Sequence, residues 1–210
     1  MLFRSLRGIR VLLAWKRDAS YYASRGGWRG KWTSEGGGVL MNQAVHSLDL
    51  IQWLGGGCSA VACAGGNLTL QGVIEEEDSA IVRMDLAGGA RGLLFATNGN
   101  VEDAPVEIEM LCERARVRIA DALYVIPADT DAEAPAAPLV LAPDGDGSSD
   151  ARRAYWGNRH FDLIRDFYAC VEAGRPFPLD AEEGLKTLEL LDACYARLGR
   201  PARAVPPDTP

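Results

Sequence analysis

The sequence predicts an α+β fold built on a mainly antiparallel sheet. Six short strand-like runs follow one another between residues 59 and 126 with no helical pattern between them. Strands in direct succession pair antiparallel. Turn signals such as Gly88-Gly89 separate the runs. Helical periodicity is confined to one segment before these strands and two after them.

In chain order, Gly8–Trp15 reads as a first strand, rich in Ile, Val and Leu. Residues 16–35 read as a loop that is both basic and aromatic, with Tyr21, Tyr22, Trp28 and Trp32. Rings in such a loop either pack onto the core or present faces to a polyol. A helix is predicted over roughly 37–54, opened by Gly36–Gly38 and stopped by Gly55–Gly57. The six strands follow: Ser59–Leu70, Asp78–Asp85, Ala90–Asn98, Val106–Cys112, Arg116–Ala120 and Leu123–Ile126. Residues 127–150, rich in Ala, Pro, Asp and Gly, are expected to form an exposed, mobile loop. Asn158–Glu172 and Ala181–Arg197 read as two closing helices, the second with Asp180 as N-cap and Gly199 and Pro201 beyond its end.

The helix at 37–54 carries one of only two histidines in the chain. At about 100° per residue, Asn42, His46, Asp49 and Trp53 share one stripe, and Met41, Ala44, Leu48 and Ile51 the other side. A histidine between an amide and a carboxylate is a positioned imidazole, and imidazole is the usual proton-transfer group near neutral pH. Asn42 either donates to a ligand hydroxyl or fixes the ring. Asp49 either holds the second ring nitrogen or binds a backbone amide.

The 210 residues suffice for one large domain or two small ones. A net charge of −7 argues against nucleic acid as a partner. The sign is uneven, since residues 1–31 hold eight Arg or Lys and the single acid Asp18. Five scattered cysteines without C-x-x-C suggest reduced thiols and a cytoplasmic protein. Ligand pairs at zinc spacing are missing, so no metal is expected. Neither a signal peptide nor an apolar run of membrane-spanning length is recognised. No G-x-G-x-x-G follows a strand, and P-loop and G-x-S-x-G motifs are absent.

The stretch YYASRGGWRGKWTSEGGGVLMNQAVHSLDLIQWLGG resembles the start of the C-terminal domain of the Gfo/Idh/MocA oxidoreductases, the family of glucose–fructose oxidoreductase and inositol dehydrogenase. Asn42 and His46 match that family's D/N-x-x-x-H motif, and Asp49 and Trp53 its usual continuation. YWGNRHFDLIRDFYACVEAGRPFPLDAEEGLKTLELLDACYARL resembles the family's closing helices, including His160. The resemblance spans roughly residues 9–205.

The resemblance implies an open-faced sheet with helices packed on one face, the other face commonly joining subunits into a homo-oligomer. It implies a histidine beside substrate and nicotinamide. The family's N-terminal Rossmann domain, with its glycine fingerprint and E-K-P lysine, is not recognised in this sequence. Residues 1–210 are therefore expected to form a single substrate-binding and oligomerisation domain. The cofactor, NAD or NADP, is expected on a Rossmann domain that is either a separate subunit or missing from this sequence, and the chain alone is expected to be inactive as a dehydrogenase. By resemblance His46 and Asn42 are the candidates for catalysis. Arg17, Tyr22, Trp28, Arg29, Asp49 and His160 are candidates for binding a sugar, inositol or related polyol. The alternative is a stand-alone ligand-binding or assembly module, or a truncated remnant, without redox activity.

Overall fold

A computed structural model describes residues 6–120, 122–128, 138–141 and 160–200. The strands are β1 (Leu6–Ala14), β2 (Cys58–Gly66), β3 (Ser79–Leu86), β4 (Arg91–Thr97), β5 (Glu107–Cys112), β6 (Ala115–Ile119), β7 (Leu123–Pro127) and β8 (Leu139–Leu141). They form one open sheet in the order β2-β3-β4-β1-β5-β6-β7-β8. Every neighbouring pair is antiparallel except β1 and β4, which run parallel. That exception has a topological cause. β1 and β4 are not consecutive, and the chain between them provides the long crossover that parallel pairing requires.

Period-2 alternation divides the sheet into two faces. Ile9, Val11, Leu13, Val82, Met84 and Leu94 are buried on the inner face. The helices α3 (Val45–Leu54) and α5 (Ala181–Arg197) cover it with Leu48, Ile51, Leu190, Leu191 and Cys194. On the outer face, Ile81, Phe95 and Leu12 lie side by side across β3, β4 and β1, all exposed. Ion pairs surround this row on the same face, with Arg10–Glu109 at 2.9 Å, Arg118–Glu107 at 3.4 Å and Arg91–Asp85 at 3.1 Å, beside the exposed Leu93.

The basic, aromatic loop is more ordered than the sequence suggests. It contains a short helix, α1 (Ala19–Ala23), N-capped by Asp18, and a 3-10 turn at Ser24–Gly26. The helix predicted over 37–54 is two pieces, α2 (Val39–Asn42) and α3, with the break at Gln43 and Ala44. Part of the segment read as a loop at 127–150 is strand β8, paired to β7; residues 129–137 and 142–150 lie outside the described residues. The helix α4 (His160–Glu172) buries only Cys170, and its Phe161, Ile164 and Tyr168 are exposed, so its apolar spacing does not mark a core face. α5 has the bounds and the Asp180 cap that the sequence predicts.

Candidate functional site

The short helix α2 has no cap of its own. Glu77, at the head of β3, supplies one from across the fold. Its carboxylate accepts from the backbone N–H groups of Gly38 at 3.1 Å and Leu40 at 3.0 Å, and from the Tyr195 hydroxyl at 2.9 Å. Burial pushes the Glu77 carboxyl upward, and these donors pull against that shift. The glycines make the approach possible. A Cβ on Gly38 would lie 2.0 Å from the Glu77 carbonyl oxygen, and one on Gly37 1.8 Å from the Tyr195 hydroxyl. The glycine run is thus filled by the protein's own groups and does not fit as a cradle for a dinucleotide's phosphates.

From α2 the chain enters a buried polar network that sets the break before α3. The Asn98 amide donates to the Tyr22 hydroxyl at 2.8 Å and to the Gln43 carbonyl at 3.0 Å. The Gln43 amide in turn donates to Asn42 at 2.9 Å and to the Tyr21 hydroxyl at 3.3 Å. Asn42 donates to Glu35, which also accepts from the Gly30 N–H. Asn42 is therefore fixed on both sides, and among the described residues its second amide hydrogen has no acceptor.

Above this network lies a cleft of about 970 Å³. Of the residues the sequence singles out, Arg17, Trp28, Arg29, Asn42, His46 and His160 line it together. Trp15, Tyr21, Ser24, Arg25 and Gln43 complete the lining. His46 is exposed within it and makes no hydrogen bond among the described residues. The Arg17 guanidinium lies 4.9 Å from the Trp15 ring and 5.1 Å from Tyr21, and pairs with Asp103 at 2.7 Å. Arg29 lies 4.6 Å from Tyr21 and 4.8 Å from Trp28.

Two of the predicted residues do not join the cleft. Tyr22 is only 5% exposed, and its hydroxyl is taken by Asn98; it packs beneath the loop with Leu70 and Ile74. Burial pushes its phenol well above the ordinary range. Asp49 turns to α5, where it accepts from the Thr187 hydroxyl at 2.5 Å, and among the described residues it holds neither the imidazole nor a backbone amide. Gln43, Asn98 and Arg25 are the residues that the sequence alone does not bring forward. Gln43 and Asn98 are ordinary polar side chains whose role comes from being buried together. A second depression, of about 280 Å³, lies between α5 and β2 and is lined by Cys58, Lys186 and Glu189; it brings no histidine or arginine together.

Among the described residues, no group of three or more His, Cys, Asp or Glu is placed to hold a metal ion. No helix among them is long and apolar enough to cross a membrane.

Comparison with solved structures finds the same fold in dehydrogenases and an oxidoreductase solved with NADH or NAD+. The WlbA dehydrogenase from Bordetella pertussis, solved with NADH and UDP-GlcNAcA, is 26% identical, with a TM-score of 0.67 over 93% of this chain and 52% of the other. A levoglucosan dehydrogenase, solved with NADH, is 18% identical, with a TM-score of 0.76 over 94% of this chain and 57% of the other. An oxidoreductase from Agrobacterium radiobacter, solved with NAD+, L-tartaric acid and magnesium, is 13% identical, with a TM-score of 0.77 over 94% of this chain and 56% of the other. The chain spans little more than half the length of these relatives. A search of curated protein sequences finds no significant match. The family model of the GFO/IDH/MocA C-terminal domain matches residues 5–118, over half of the sequence, and the chain belongs to that family.

Proposed function

We propose that this chain is the substrate-binding half of an NAD(P)-dependent oxidoreductase acting on a sugar, an inositol or a related polyol. The observation that carries this reading is the convergence of His46, Asn42 and His160 with the basic, aromatic loop on one cleft with ample room for a sugar. Oxidising a secondary alcohol requires loss of the hydroxyl proton. The His46 imidazole, open to the cleft, accepts that proton at hydrogen-bond distance. Asn42 uses its second amide hydrogen to orient the same or a neighbouring hydroxyl. The exposed Trp28 ring, stacked on Arg29 by one face, offers its other face to the apolar side of the sugar ring.

The glycine run does not form a phosphate cradle, so the dinucleotide is assigned to a Rossmann-type domain or subunit, and the chain by itself does not turn over. The sugar class is supported by the relatives, one solved with UDP-GlcNAcA and another named for levoglucosan. Homo-oligomerisation is assigned to the outer sheet face, where Ile81, Phe95 and Leu12 form an exposed apolar row. A cytoplasmic location fits the reduced thiols.

Crystals of the chain soaked with a panel of neutral and acidic sugars test this reading. Density within hydrogen-bond distance of His46 and Asn42 is the expected result. A cleft left empty by every sugar overturns it. In parallel, incubation with NAD(P) and the same panel is expected to give no nicotinamide reduction, and turnover would overturn the half-site assignment. A second reading, a stand-alone sugar-binding module, is favoured by the cleft being walled by this chain's own residues. It predicts binding that no added nucleotide-binding partner converts into turnover.

A further inference from the structure

We infer that the cleft takes an anionic sugar, one bearing a carboxylate or a phosphate group. This rests on the reading of the cleft as a sugar site and goes further by naming the charge of its ligand. Arg17, Arg25, Arg29, His46 and His160 line the cleft, and no carboxylate among the described residues does, in a chain whose net charge is −7. A cationic concavity in an acidic protein concentrates anions and disfavours other ligands.

Each arginine is held in a way that leaves donors for a ligand. Arg17 uses one terminal nitrogen on Asp103 and the Lys16 carbonyl, both at 2.7 Å. Its Nε is buried and has no hydrogen-bond partner among the described residues. That Nε is sealed from solvent, so the nitrogen that remains for a ligand is the second terminal one, which makes no hydrogen bond among the described residues. Arg29 is stacked against two rings and donates to the Ser24 hydroxyl at 3.1 Å, with no ion pair among the described residues. Stacking holds a guanidinium by its faces and leaves its in-plane N–H groups to grip a planar or tetrahedral oxyanion.

Arg25 gives an independent indication. Its φ of 50° makes it the one non-glycine residue with a left-handed backbone among the described residues. Its neighbours Gly26 and Gly27 are left-handed too, with φ of 82° and 62°, as glycine readily is. Arginine at such a position costs stability that a glycine would spare, and such residues cluster at ligand clamps. Arg25 and Arg29 thus place two cations on one loop of the cleft, neither of them ion-paired among the described residues. A neutral polyol needs neither.

Titration calorimetry of the 210-residue chain with glucose, glucuronate and glucose 1-phosphate tests the inference. At least one anionic ligand is expected to bind about tenfold or more tightly than glucose, the range of a charge-assisted hydrogen bond. The preference should shrink as ionic strength rises. Glucuronate binding more tightly than the phosphate assigns a carboxylate, and the reverse order assigns a phosphate. Arg29→Gln and Arg25→Gly should each erase most of the preference. Arg25→Gly should do so with no loss of thermal stability, which separates a ligand role from a folding role. Glucose binding as tightly as both anions overturns the anionic assignment and leaves the sugar site standing. No binding of any of the three overturns both.

Discussion

The Thr187 hydroxyl donates to the Asp49 carboxylate at 2.5 Å and accepts from the Gln52 amide at 3.1 Å, fastening α3 to α5. Asp49 follows His46 by one helical turn yet serves the helix–helix joint. Thr187→Val is therefore expected to lower stability by about 2 kcal/mol, because buried Gln52 loses its acceptor along with the Asp49 bond. Thr187→Ser should recover most of it. Urea denaturation measures both, and sugar affinity should be unchanged.

His46→Ala should weaken sugar binding about tenfold while the circular dichroism spectrum stays that of the parent. Asn42→Ala should weaken binding and also lower the unfolding midpoint, because Glu35, Gln43 and Tyr21 lose their shared partner. A loss of stability from the histidine variant comparable to that from the asparagine variant would contradict the assignment of His46 to the ligand.

Acid should weaken the fold through Asp78. Burial raises this carboxyl, but the N–H groups of Thr69, Leu68 and Leu70 and the Ser79 hydroxyl outweigh it and hold it below its ordinary value near 3.8. The unfolded chain then binds the proton more readily than the folded one. Asp78 thus contributes stability above about pH 4 that is lost as pH falls through that value toward the lower folded one. Asp78→Asn should cost about 2 kcal/mol at neutral pH. It should also flatten the dependence between pH 5 and 3, as measured by urea midpoints across that range.

Phe95→Glu, in the middle of the outer apolar row, should convert an oligomer to a monomer in sedimentation velocity. Folding should be unaffected, because the residue is already 37% exposed in the isolated chain. A parent protein that sediments as a monomer at micromolar concentration would remove the self-assembly assigned to this face.

Local patterns made much of this fold legible. β1 alternates as its Ile, Val and Leu require, and α5 begins and ends where Asp180 and Gly199 indicate. The break between α2 and α3 was not legible, because the group that holds Gln43 is Asn98, 55 residues away. The parallel pairing of β1 and β4 is likewise a matter of strand order, which no local run encodes. β8 is three residues in an Ala- and Pro-rich stretch with too little periodicity to register. Within the site, Asn42 and His46 line one cleft although the helix breaks between them, and the turn of Asp49 toward Thr187 depends on where α5 docks. Arg25 stood out neither by type nor by spacing. Its importance comes from a backbone angle normally left to the glycines beside it.

The borrowed cap on α2 ties the timing of the site to its two distant contributors. Gly38 is completed by Glu77, 39 positions later, and by Tyr195, 157 positions later. Contacts across such separations form late, after the entropy of closing long loops has been overcome. During synthesis Tyr195 is added long after the segment bearing Asn42 has left the ribosome. The cleft is consequently among the last features of the nascent chain to take shape, and a polypeptide released before residue 195 is left without it.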